Sequence, residues 1–210
     1  MRVTKLGHSC VLVETEDRVA LFDPGVWSSE FNIDNINLLD RIVITHEHPD
    51  HFDLEKIKLL VSKFPEVHII CNTAIRELLE SAAIQATIRE ESSCCVRFDA
   101  PHEKLPIPGA QAPSENGYHF KNLFTSPGDS HSFNETMTVL AMPFIGPWGK
   151  TGDAIDKVIQ LKPKYVLPIH DWHYTPEARQ WLDGLIEAAL ENTGIELLSA
   201  KPGILHEIDE

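Results

Sequence analysis

The segment that most limits how this chain can fold is His46-Glu47-His48-Pro49-Asp50-His51. It follows Ile42-Val43-Ile44-Thr45, a largely β-branched run that reads as a buried strand. The hexapeptide therefore begins where a strand leaves the core and becomes a loop. Three imidazoles and the Asp50 carboxylate within six residues are costly to crowd together unless they share divalent cations, to which neutral imidazole and carboxylate both donate. In an extended segment His46 and His48 point to the same side and can share one ion. Pro49 turns the chain, so Asp50 and His51 leave in a new direction, toward a second ion. Asp53-Leu54-Glu55 then reads as an N-cap and first helical turn, with Leu54, Ile57, Val61 and Phe64 lining one helix face. The partial positive charge at that helix start favours a bound hydroxide or an anionic substrate group over a bare cation.

Six residues cannot complete two coordination spheres, so further donors must come from downstream. Three candidates follow strand-like runs: His102 after Val96-Arg97-Phe98, Asp129 after Leu123-Phe124-Thr125, and His170 after Tyr165-Val166-Leu167-Pro168-Ile169. Each is weak alone. The repetition of apolar strand followed by a ligand-type residue is what joins them to the hexapeptide.

The ordered set His46-x-His48-x-Asp50-His51, His102, Gly128-Asp129 and His170 resembles the metallo-β-lactamase superfamily. It is most similar to the small single-domain branch of L-ascorbate-6-phosphate lactonase-like hydrolases. Gly7-His8-Ser9-Cys10, Phe22-Asp23-Pro24, Pro127-Gly128-Asp129-Ser130, Gly146-Pro147-Trp148 and Pro168-Ile169-His170-Asp171 carry the same likeness, which spans nearly the whole chain. The resemblance implies an α/β (α+β) fold, a four-layer αββα sandwich forming one domain over residues 1–210. It implies that His46, His48 and His102 hold one metal, that Asp50, His51 and His170 hold the other, and that Asp129 bridges them. The chain departs from the family's frequent His-Gly at His102-Glu103. That leaves His119 as a rival in this region, although its place in Gly117-Tyr118-His119-Phe120 suggests a mid-strand, structural role.

Two close cations lower the pKa of a bridging water to about 7. The resulting hydroxide can attack an ester, lactone, amide or phosphodiester while a metal polarises the substrate oxygen. Asp50 is the candidate catalytic residue, orienting the nucleophile or accepting its proton. Zn2+ suits the donors best, and Mn2+, Fe2+ or Ni2+ also fit. Asp23, closing a strand before Pro24-Gly25, is either a partner for a ligand imidazole or a simple turn former. His8 is either a supporting group at the site or a packed core residue. His131 and His173 are candidate proton donors. Trp27, Trp148 and Trp172 lie in loops expected to surround the metals; Lys150 near Trp148 would suit a substrate with apolar and anionic parts.

Composition narrows the setting. No apolar run approaches ~20 residues, so no membrane span is expected. Met1 to Lys5 lead straight into a strand without a signal-peptide core, and a cytoplasmic location is expected. A formal net charge of -14 argues against nucleic acid as a partner and leaves a small-molecule substrate. Cys10, Cys71, Cys94 and Cys95 form no C-x-x-C pair, so they read as reduced, buried thiols, with Cys94 and Cys95 on opposite sides of a strand. Two other readings stand beside hydrolysis: a non-catalytic metal-binding or regulatory protein, and a diiron oxygen- or NO-reducing protein of the same fold. The second normally has a glutamate where this chain has His48.

Strands are expected near residues 2–7, 10–15, 18–23, 41–45, 67–71, 95–99, 117–121, 123–126, 137–142, 164–168, 195–199 and 203–208. Helices are expected near 53–63, 73–82, 151–161 and 175–191. In the last, Trp181, Leu182, Leu185, Ile186, Ala189 and Leu190 read as the inward stripe, with Trp181 in the core. Residues 101–116 read as a loop.

Overall fold

A computed structural model of the chain describes residues 1–209. The strands are β1 (Arg2–Gly7), β2 (Cys10–Glu14), β3 (Val19–Phe22), β4 (Arg41–Ile44), β5 (His68–Cys71), β6 (Thr87–Arg89), β7 (Cys95–Phe98), β8 (Gly117–Phe120), β9 (Phe124–Ser126), β10 (Val139–Pro143), β11 (Tyr165–Ile169), β12 (Glu196–Leu197) and β13 (Leu205–Glu207). The helices are α1 (Leu54–Lys63), α2 (Thr73–Ser81), α3 (Thr151–Leu161) and α4 (Pro176–Leu190). One sheet runs β13-β1-β2-β3-β4-β5-β6 and the other β12-β11-β10-β9-β8-β7. In the first, pairing is parallel from β3 to β6; in the second it is parallel from β9 through β10 and β11 to β12.

Three apolar clusters define the layers. Phe22, Val43, Ile70, Phe120, Phe124, Ala141 and Leu167 meet between the sheets. Ile42, Ile44 and Ile69 on the opposite face of the first sheet pack against Ile57 and Leu60 of α1 and Ile75 and Leu79 of α2. Leu140, Met142 and Val166 pack against Ala154 and Val158 of α3 and Leu182, Ile186 and Leu190 of α4. The result is the expected αββα sandwich. The central strands read as unbroken apolar runs because both of their faces are buried. Each fully buried Leu, Ile or Phe contributes roughly 1.5–3 kcal/mol through burial.

Local chemistry fixes the helix starts. Asp53 accepts from the backbone N–H groups of Glu55 and Lys56, Asn72 caps α2, and Thr175 caps α4 with Pro176 in the first position. These ends set where the preceding strands release their loops. Such a sandwich presents its loops at the carboxyl ends of the parallel strands, where ligands gather in open α/β sheets.

Four details differ from the sequence expectation. Trp181 is not core: it is 67% exposed, and Leu185 is 41% exposed, because the buried line of α4 is the narrow row Leu182, Ile186, Leu190. In α1, Ile57 and Leu60 are the fully buried pair, while Leu54, Val61 and Phe64 flank them. Cys94 sits in the turn before β7, so both vicinal thiols join the core between the sheets rather than opposite faces. The short, largely exposed edge strand β6 and a 3-10 turn at Ile33–Asn35 were not expected. The four cysteines are free and buried, and among the described residues no helix is long and apolar enough to cross a membrane.

Candidate metal centre

The loop after β4 carries His46, His48, Asp50 and His51. His8 follows β1, Asp23 follows β3, His102 lies beyond β7, Asp129 beyond β9, and His170 directly after β11. Every sequence-predicted donor thus leaves the carboxyl end of a strand, and the two sheets bring them to one edge. Their donor atoms form two groups: His46, His48, His102 and Asp129 in one, and His8, Asp50, His51 and His170 in the other. Asp129 lies between them. Its Oδ1 is 3.1 Å from His51 Nε2, and its Oδ2 is 3.5 Å from His102 Nε2, 3.3 Å from His170 Nε2 and 4.0 Å from His46 Nε2.

The outer nitrogens of these rings are already committed. His46 Nδ1 lies 2.8 Å from Glu115 Oε2 and His51 Nδ1 3.0 Å from Asp23 Oδ2. His102 Nδ1 lies 2.6 Å from the Glu103 carbonyl, and His170 Nδ1 2.5 Å from the Ile145 carbonyl. Each acceptor requires an N–H at Nδ1, so each neutral ring turns a lone pair inward at Nε2. The Nε2 atoms of His46, His51 and His102 and Oδ1 of Asp129 are buried and make no hydrogen bond. With all four rings neutral, their Nε2 lone pairs would face the Asp129 carboxylate in a buried space, a costly arrangement unless a proton or a metal cation sits among them. This donor set, all nitrogen and carboxylate oxygen, fits a pair of divalent metal ions.

The electrostatics point the same way. At His51, burial disfavours charge, but the carboxylates of Asp129 and Asp23 outweigh it and hold the imidazole well above its usual range. At His170 burial is again overcome, chiefly by Asp129, and the pKa rises to about 9. Burial pushes His46 the other way, reinforced by His51. The carboxylates that hold a proton on His51 and His170 would equally attract a metal ion in its place.

His8 serves differently from the other rings. Its Nδ1 accepts the backbone N–H of Trp172 at 3.1 Å, so the neutral ring carries its proton on Nε2. That N–H donates to Asp50 Oδ2 at 3.0 Å. Burial lowers the His8 pKa to about 4, which keeps the ring neutral and this arrangement intact near neutral pH. His8 is therefore built to aim Asp50. Its backbone, with φ 46°, shares the left-handed region with Asp23 at 42° and His170 at 65°. Three such residues at one site, each costing on the order of 1–3 kcal/mol, mark a place where geometry overrides comfort.

Two supporting groups escaped the sequence reading. Glu115 is buried, holds His46, and accepts the Asp129 backbone N–H with both carboxylate oxygens at 3.1 Å. It lies in the irregular stretch 101–116, where no periodicity marks it. Burial, followed by the nearby Asp129, raises its carboxyl well above the usual range. Lys5 is also fully buried, 2.7 Å from Asp171 Oδ1 and donating to the Pro168 carbonyl at 2.9 Å. Arg179 pairs with the same carboxylate, so Asp171 clamps the segment that carries His170.

His119 is set apart from the cluster. It lies mid-strand in β8 as expected, buried against Phe98, with Nδ1 2.9 Å from Thr125 Oγ1. His131 Nε2 is held 2.8 Å from the Pro143 carbonyl, and the ring does not line the cavity over the donors. His173 does line it. That cavity, about 560 Å³, has His48, Asp50, Asp129 and His170 at its base and Trp27, Ile145, Trp148 and Trp172 among its walls. Lys150 is exposed and not part of the wall, contrary to the role suggested for it beside Trp148.

Comparison with known proteins fits this geometry. Residues 2–170 match the family described as Beta-lactamase superfamily domain, and the chain belongs to that superfamily. It is similar to protein Rv0786c of Mycobacterium tuberculosis, with 29% identity over 191 residues, covering 85% of this chain and 88% of the relative. Among solved structures it resembles a Parabacteroides distasonis protein named "putative metal-dependent hydrolase", with a TM-score of 0.70, 21% identity, and coverage of 93% and 90% of the two chains. A metallo hydrolase from the archaeon Ignicoccus hospitalis has the same TM-score at 17% identity and 99% coverage of both. These likenesses show the fold; the identities are too low to carry a substrate.

Proposed function

We propose that this chain is a two-metal hydrolase acting on a small molecule at the edge of the sandwich. The observation that carries the proposal is the convergence of the buried Nε2 atoms of His46, His51, His102 and His170 on Asp129, each of these four rings fixed by an acceptor at Nδ1. His46, His48 and His102 would hold one ion, Asp50, His51 and His170 the other, with Asp129 shared. Zn2+ is the favoured ion for this donor set. When bound, such a pair supplies Lewis-acid polarisation of a carbonyl or phosphoryl oxygen and lowers the pKa of a shared water.

The chain's own groups do the rest. Asp50 lines the cavity and can orient an attacking water or take its proton, held by the N–H of His8. Glu115 and Asp23 keep His46 and His51 in the tautomer that offers Nε2 inward. His173 also lines the cavity, and burial lowers its pKa. The cavity volume lies within the range that holds small ligands, roughly 300–1,000 Å³.

The test is a hydrolysis screen on metal-replete protein with lactone, ester, amide and activated phosphodiester substrates, alongside His48→Ala. Turnover that falls at least about a hundredfold in the variant is expected. Equal activity in the variant rejects the proposal.

A further inference from the structure

The wall of the cavity carries information about its occupant. Trp148 stands over both donor groups: its ring centroid is 5.9 Å from that of His102 and 5.2 Å from that of His170, edge-on to each. Its position is built rather than incidental. Gly146 and Gly149 pair across a tight turn that carries Trp148. A Cβ on Gly146 would lie 2.5 Å from the indole, so only glycine lets the ring settle there. The same cavity is lined by Ile145, Leu105 and the stacked pair Trp27 and Trp172, whose rings are 4.2 Å apart and nearly parallel.

Among the described residues no lysine or arginine lines this cavity, and its charged side chains are the carboxylates Asp50 and Asp129 beside the histidines. Lys104 and Lys150, the cations next to wall residues in sequence, are exposed. Four carboxyl groups, Asp23, Asp50, Glu115 and Asp129, surround the imidazoles. The charge of two divalent ions would thus be met by up to four negative charges, and the whole chain adds a formal -14. An enzyme that grips an anionic group places Arg, Lys or a helix N-terminus where that group lies. The wall has none.

We propose that this site selects neutral carbonyl substrates, aryl or alkyl esters and lactones, whose apolar part lies against Trp148, and discriminates against substrates with an anionic tail. The proposal rests on the hydrolase reading for the reaction but not for the binding preference. Trp148 is the specificity-determining residue, through the flat apolar surface it holds above the donors.

A matched pair of probes tests it without turnover. Hexanophenone and 6-oxo-6-phenylhexanoate share an aryl ketone and a similar chain, and differ in the terminal carboxylate. Binding to metal-loaded protein is read by indole fluorescence. The neutral ketone should bind about tenfold tighter or better. Trp148→Ala should cut that advantage severalfold, and Gly146→Ala, which displaces the indole without removing it, should do the same. The corresponding p-nitrophenyl esters should show the preference mainly in KM. Equal or tighter binding of the carboxylate, or an advantage untouched in both variants, overturns the proposal. Selective ketone binding with no hydrolysis of any substrate overturns the hydrolase reading instead and leaves this one standing.

Discussion

Glu115→Gln is the sharpest perturbation of the account. The native carboxylate faces donors on all sides: His46 Nδ1–H at 2.8 Å and the Asp129 N–H, shared between both oxygens at 3.1 Å. Glutamine has the same shape but brings an amide NH2 in place of one oxygen. If its oxygen stays on His46, the NH2 confronts the Asp129 N–H; if it flips, the NH2 confronts His46 and favours the wrong tautomer of that ring. Either way one buried donor is left without its acceptor, a cost of about 1–3 kcal/mol. The ion sharing His46 and Asp129 should therefore bind about 10–100-fold more weakly. Competitive titration of the metal-free protein with a chromophoric chelator measures this, and circular dichroism checks that the fold is kept. Unchanged metal affinity in a folded variant would refute the claim that Glu115 sets the His46 tautomer.

Other perturbations bear on separate parts of the structure. Gly25→Ala would place a Cβ 1.9 Å from the Asp50 carbonyl oxygen, pushing the Asp50-His51 segment by on the order of 1 Å; activity should fall about a hundredfold, measured as kcat/KM, with a lowered Tm. Asp171→Asn strands buried Lys5 and should cost about 3–5 kcal/mol in denaturant unfolding at neutral pH. Burial alone would raise the Asp171 pKa, but Lys5 and Arg179 win and hold it below the ordinary 3.8. Its contribution is therefore fully present above that value and is lost as pH falls through the depressed folded-state value, so the Tm gap between wild type and variant should narrow in that acid range. Trp181→Gln should change stability by less than about 0.5 kcal/mol, whereas Leu182→Ala, one residue on, should cost about 2–5 kcal/mol in the same unfolding assay.

The inner strands were legible because two-sided burial writes an unbroken apolar run, as in Ile42-Val43-Ile44 and Tyr165-Val166-Leu167. The candidate donors of the hexapeptide and His170 were legible because they follow such runs; His102 and Asp129 follow shorter, mixed strands and were legible only as part of the ordered set. Glu115 was not, since an acidic residue in an irregular loop looks the same whether it holds a histidine or faces solvent. Lys5 was hidden for a related reason: a lysine near the N-terminus reads as exposed, and only the packing of β1 beside the His170 segment buries it. Trp181 shows the limit of helical periodicity, which locates the apolar face of α4 but not its edges. His8 was seen as a candidate, but its part depends on the Trp172 N–H, a contact across 164 positions that no local pattern carries.

The central claim is tested most directly by growing crystals with Zn2+ and measuring anomalous scattering at the zinc edge. Two peaks are predicted, one amid His46, His48, His102 and Asp129 and the other amid Asp50, His51, His170 and Asp129. Zinc elsewhere on the surface with neither position filled would contradict the account.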